Sequence, residues 1–148
     1  MYNKERHKKL IIKLEDLKNQ GKTLFLESRK EYFELLEYNI AIEEQIFWTK
    51  QQEFLLVMKD FLDNIISFDE FETAFTLLYN KTREEFNMFV IDLEQIENFE
   101  PSTRLDRFAS SINAIFRELE SIEDEYSTEQ DVKNSLKETY LKFQKFEE

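Results

Sequence analysis

Apolar side chains return every three or four residues along almost the whole of this chain, the period that gathers them on one face of an α-helix. The cleanest stripe, Leu105, Phe108, Ile112, Ile115, Leu119 and Ile122, steps by 3-4-3-4-3 and predicts a helix over about 103–122 with a bundle-type seam. The same period predicts helices over about 3–19 (Leu10, Leu14, Leu17), 29–48 (Phe33, Leu36, Ile40, Phe47) and 50–64 (Phe54, Val57, Phe61, Ile65). Three more are expected over about 68–80 (Phe68, Phe71, Phe75, Leu78), 83–99 (Phe86, Phe89, Leu93, Ile96) and 128–146 (Val132, Leu136, Tyr140, Phe143). Gly21 is a fitting stop for the first helix, Asn80 for the fourth and Pro101 for the fifth.

Helix starts are marked by Ser or Thr followed three residues later by Glu or Gln, a pairing in which two orphan backbone donors are satisfied reciprocally. Five such boxes occur, Ser28/Glu31, Thr49/Gln52, Ser67/Glu70, Thr82/Glu85 and Ser127/Gln130, each ahead of an apolar stripe. Short connections between successive helices favour antiparallel neighbours. The expected fold is therefore all-α, an antiparallel up-and-down helix bundle with an N-terminal helical hairpin.

Composition sharpens this picture. One Gly and one Pro in 148 residues leave little turn chemistry for hairpins of strands, and 41% hydrophobic content with 15 Phe supplies ample core. The length fits one domain. There is no cysteine, which excludes disulfides, cysteine-zinc sites and thiol nucleophiles. The longest apolar run, Phe54 to Met58, is five residues, so no membrane span is expected. Leu10-Ile11-Ile12 is interrupted by Lys13, Glu15 and Asp16 and makes a poor signal peptide, which points to the cytoplasm.

Charge divides the chain. Residues 1–50 carry 10 basic and 9 acidic side chains, a balance of +1, whereas residues 51–148 carry 10 and 23, a balance of −13. Two segments follow: a near-neutral N-terminal hairpin, 1–48, and an acidic bundle, 49–148. Three arrangements of the hairpin stay open, docked on the bundle, dimerised or projecting. The acidic field repels nucleic acid and draws in basic proteins.

Catalytic and metal chemistry finds no foothold in the pattern. The one histidine, His7, stands among Lys4, Arg6, Lys8 and Lys9 with no acid at helical spacing, and reads as a surface residue without a catalytic or metal role. A single glycine excludes phosphate-binding loops. The segment Ile66 to Phe71 imitates the exit of a calcium loop, but counting back puts Lys59 and Phe61 where oxygen ligands are required. No enzyme, metal or cofactor is expected.

The densest signal is the window 118–132, with seven acids and no base. Glu118, Glu120, Glu123, Asp124, Glu125 and Glu129 are its candidate contact residues, with Tyr126 as an aromatic anchor of the kind interface hot spots favour. Glu94, Glu97, Glu100 and Asp106 form a second group on either side of Pro101. Carboxylates fit Lys and Arg forks with the geometry of phosphates, so such a face can stand in for nucleic acid against a basic protein. An ordinary solvated face is the competing reading. Trp48, at the junction expected near residue 49, reads as a hinge-packing or interface residue.

The segment from Phe61 through Ile66-Ser67 and Phe71 to Tyr79, together with Glu97-Asn98-Phe99-Glu100-Pro101 and Tyr126-Ser127-Thr128-Glu129, resembles the colicin D immunity family. The likeness covers about residues 50–146 and lacks any counterpart to the hairpin. It implies an all-helical inhibitor that covers the active site of a tRNase-type toxin with acidic side chains, with Ile66, Ser67, Phe71 and Phe75 structural and Glu97, Glu100 and the acids around Tyr126 in contact. Two other expectations compete with it: an acidic anti-defence or nucleic-acid-mimicking protein, and a helical subunit of a larger assembly. The oligomeric state is left open.

Overall fold

A computed structural model describes residues 2–91, 103–125 and 127–143. Among them there are only helices: α1 (Lys4–Asn19), α2 (Leu24–Glu27), α3 (Arg29–Thr49), α4 (Gln51–Leu62), α5 (Phe68–Ile91), α6 (Thr103–Glu123) and α7 (Glu129–Phe143). The all-α bundle expected from periodicity is what forms. The single turn α2, capped by Thr23, was not foreshadowed by any stripe.

The ends of the helices follow from local chemistry. At α1 the glycine stop holds: Gly21 takes φ 72°, its N–H donates to the Lys18 carbonyl and that of Lys22 to the Leu17 carbonyl. Ser67/Glu70 is a full reciprocal box, with the Glu70 N–H donating to Ser67 Oγ (3.2 Å) and the Ser67 N–H to Glu70 Oε1 (3.1 Å). The box expected at Ser127/Gln130 lies one residue on, at Thr128/Asp131 (3.0 and 3.2 Å). Ser28 caps α3, but Glu31 turns its carboxylate to Lys13 and Arg6. Thr49 does not cap α4; its hydroxyl donates back to the Ile46 carbonyl.

One expectation is overturned. The helices foreseen over 68–80 and 83–99 are a single helix, α5, and neither Asn80 nor Thr82 interrupts it. Asn80 stands exposed in mid-helix, while the buried Thr82 hydroxyl donates to the Leu78 carbonyl (2.7 Å), satisfying itself within the helix. The expected continuation beyond residue 91, and that of the last helix to 146, lie outside the described residues, as does Pro101.

Side-chain pairs fix the directions. Phe54 meets Phe75 and Phe61 meets Phe71, so α4 and α5 are antiparallel; Phe47 meets Tyr79 and Glu43 meets Arg83, so α3 and α5 are antiparallel as well. Consequently α3 and α4 run in the same sense, one rod broken at Lys50, where the sequence had suggested a reversal. The uninterrupted α5 returns along both halves of that rod. Helix α7 returns along α6, with Ser135 beside Glu118 and Phe143 beside Phe108.

The main core joins Phe47, Phe54, Leu55, Met58 and Phe61 of the rod to Phe71 and Phe75 of α5, to Phe108, Ala109, Ile112, Ile115 and Leu119 of α6, and to Val132, Leu136 and Phe143 of α7. From Phe108 to Leu119 the α6 stripe is buried as its spacing predicts, and Ile122 is half-buried against the same core. Leu105 and Phe89 have side chains outside the described residues. Trp48 packs edge-on against Phe108, with ring centroids 5.8 Å apart. A small second core, Leu10, Leu24 and Leu35, holds α1 and α2 on the first half of α3. Helix α3 serves both cores, through Leu35 in the small one and Phe47 in the main one.

Helix α3 is rotated relative to its expected stripe. It buries Leu35, Ile42, Ile46 and Phe47, whereas Phe33 and Ile40 face outward. The reason is that α3 has two sets of neighbours, and α1 approaches it from the side of Leu35. Ile65 also differs, lying exposed in the turn beyond α4.

Candidate functional site

The acids of the window 118–132 gather at the turn between α6 and α7. Glu120, Asp124, Glu125 and Glu129 have exposed side chains, and among the described residues none of them makes an ion pair. Glu125 closes α6 in the left-handed conformation (φ 63°), a strain of about 1 kcal/mol for a residue with a β-carbon. Lys133, the nearest base on α7, directs its ammonium toward the Phe61 ring, 5.9 Å from the centroid. The turn therefore presents negative charge, with Arg117, one turn back along α6 from Glu120, as the nearest base on that helix.

Glu118 differs from its neighbours. It is half-buried and accepts the Ser135 hydroxyl at 2.7 and 3.0 Å, clamping α6 to α7. Asp131, at the start of α7, is occupied by its box with Thr128. Glu123 lies in the last turn of α6, with its side chain outside the described residues, and Glu94, Glu97, Glu100 and Tyr126 lie outside them altogether.

Asp106 does not join this group. It stands near the start of α6, fourteen residues before Glu120 and so about 21 Å away at 1.5 Å per residue. Its partner is Glu44 on α3, a residue the sequence reading passed over because nothing local distinguishes it. Burial, the Asp106 charge, a hydrogen bond to Asp106 and the Glu43 charge push the Glu44 carboxyl up to about 7. Glu44 thus holds a proton that its solvated counterpart has lost, and carboxyl and carboxylate share it across the α3–α6 contact.

The sign of the resulting pH dependence follows. An unfolded Glu44 ionises near 4.5 and the folded one near 7, so stability falls as pH rises between those values. His7 acts in the opposite sense, since burial lowers its pKa and acid therefore disfavours the fold. Glu44→Gln isolates the first effect. It is expected to raise stability at pH 8 by about 1 kcal/mol, after the discount a half-exposed group requires, and to change little at pH 4.5. Urea denaturation of both proteins at the two pH values measures it; an equal gain at both would remove the shared proton.

His7 is buried, contrary to the surface placement its basic neighbours suggest. Asn39 Oδ1 can only accept, so Nε2 carries the proton and donates to it (2.7 Å), while Nδ1 accepts from the Tyr2 hydroxyl (2.8 Å). Both nitrogens are engaged in tying α1 to α3. Among the described residues no group of three His, Cys, Asp or Glu is placed to hold a metal ion. No helix among them is long and apolar enough to cross a membrane.

Among the shallow clefts of the surface are one of about 480 Å³ along residues 48–53 and one of about 530 Å³ lined by Tyr79, Asn80, Arg83, Asn113, Phe116, Arg117 and Glu120. Tyr79 and Phe116 stack with centroids 4.0 Å apart, and the Tyr79 hydroxyl donates to Asn113 Oδ1 (2.6 Å). Burial holds that hydroxyl above its ordinary pKa, and Arg83 is taken up by Glu43. The cleft displays no nucleophile activated by a base.

No family model, curated protein or solved structure matches this chain. The likeness to the colicin D immunity family rests on the short motifs quoted above.

Proposed function

We propose that this chain is a non-catalytic inhibitor, an immunity protein that binds a basic nuclease-type toxin and occludes its active site with carboxylates. The supporting observation is a contrast within one molecule. In the N-terminal segment, whose overall balance is +1, Glu31 is paired with Lys13 and Arg6 and Glu34 with Arg6. At the α6–α7 turn, Glu120, Asp124, Glu125 and Glu129 keep their charge facing outward. A cationic cleft shaped for ribose-phosphate would recover in these carboxylates the ligands it normally takes from the nucleic acid. Phosphate contacts dominate the affinity of such clefts, so the acidic turn competes where the energy is concentrated.

The direct test is co-expression with a candidate nuclease toxin taken from the genes neighbouring its own. Growth is expected to be restored only when this chain is present. A toxin that kills equally well beside the folded protein would leave the immunity reading without support.

A further inference from the structure

The rotation of α3 leaves an apolar strip that no described helix covers. Phe33 is 53% exposed and Ile40 51%, and they lie two turns apart on one face of the helix. Beside them stand Phe25, whose ring meets that of Phe33 edge-on at 6.5 Å, and Leu26, 79% exposed. Helix α1 occupies the opposite face of α3, through Glu31, Glu34 and Asn39. From this placement we infer that the first half of α3 is the seat of a second copy of this chain, paired with it about a two-fold axis.

Three features select a second copy as the occupant. The first is charge. Two molecules of net charge −12 repel, and the segment 1–50, at +1, is the part of the chain where they can meet without net repulsion. The second is area. Phe25, Leu26, Phe33 and Ile40 together expose on the order of 400 Å² of apolar surface. A stable pair takes about 800 Å² from each partner, a little over half of it apolar, so the strip matches one protomer's share.

The third is self-complementarity. Lys30 and Glu37 flank Phe33 along the same edge of α3, three residues before it and four after. Two antiparallel α3 helices crossing near Phe33 place Lys30 of each copy opposite Glu37 of the other, twice over. The same register sets Ile40 against the Leu26 end of the second copy and Phe33 against Phe33. This is the reciprocity an isologous interface requires.

Sedimentation equilibrium between micromolar and millimolar protein tests this without any partner. The expected result is a concentration-dependent rise from the monomer mass of 18.1 kDa to twice that value. Lys30→Glu alone and Glu37→Lys alone are each expected to weaken the pair about tenfold or more, and the double exchange to restore it. Phe33→Glu should give a monomer with unchanged helicity. A parent protein that stays at 18.1 kDa throughout, or charge exchanges that do not rescue each other, would overturn the proposal.

Discussion

Replacing Asp124, Glu125 and Glu129 together by lysine is expected to slow association with the proposed toxin partner about a hundredfold at low ionic strength. The change moves the net charge from −12 to −6 and inverts the field at the turn itself. Oppositely charged surfaces raise association rates by about 10 to 10³, and that steering is what the reversal removes. Salt supplies the internal control: the rate should fall steeply with ionic strength for the parent and weakly for the variant. The fold should survive, because these three exposed side chains make no ion pair among the described residues. Lysine at position 129 forgoes a favourable place in the first turn of α7, worth about 0.3–1 kcal/mol, while Asp131 is spared to keep its box. Stopped-flow association at several salt concentrations reads the outcome. Identical salt dependence for both proteins would place the interface elsewhere.

The fold was legible where one element had one environment. From Phe108 to Leu119 every inward position of α6 faces the same core, so the stripe there translated directly into burial. Helix α3 shows the limit. Its first half faces α1 and its second half faces α5 and α6, so a single stripe through Phe33 and Ile40 mistook the outer face for the inner one. The break at Lys50 was read as a reversal for a related reason. Local signals, including the Thr49/Gln52 box, locate an interruption but carry no information about which way the chain leaves it. Thr82 illustrates the same ambiguity, since its hydroxyl can cap a helix or bond back to Leu78, and only tertiary burial decides.

The candidate site was legible as charge and illegible as geometry. Seven acids in fifteen residues announce a negative surface, yet the pattern did not separate Glu118, bound to Ser135, from its free neighbours. Nor did it show the contact between Asp106 and Glu44, on a helix more than fifty residues earlier. Contacts between distant segments have no local signature. His7 belongs to the same class: Tyr2 and Asn39 enclose it, and only the first of them is near in sequence.

Phe108→Ala is expected to be the most destabilising single substitution, costing about 3–5 kcal/mol. The ring is fully buried and meets Trp48 at 5.8 Å, Phe54 at 6.2 Å and Phe143 at 5.1 Å, so it joins both halves of the α3–α4 rod to α6 and α7. No neighbour can collapse into the void without breaking an aromatic contact elsewhere. Against a total stability of about 5–15 kcal/mol, such a loss leaves a marginal protein, with a midpoint lowered by about 10 °C or more. Trp48 reports the event, since its edge contact with Phe108 disappears and its fluorescence should shift before global unfolding. Leu77→Ala, at a position 70% exposed, should change stability by no more than about 0.5 kcal/mol. The consequence for function is indirect but large. Glu118 and the acidic turn are held by the α6–α7 pair whose far end Phe108 and Phe143 lock together, so the proposed inhibition should fail at temperatures where the parent still holds its fold. A Phe108→Ala protein that keeps its parent's denaturation midpoint would mean that α3 and α6 are not packed through this ring.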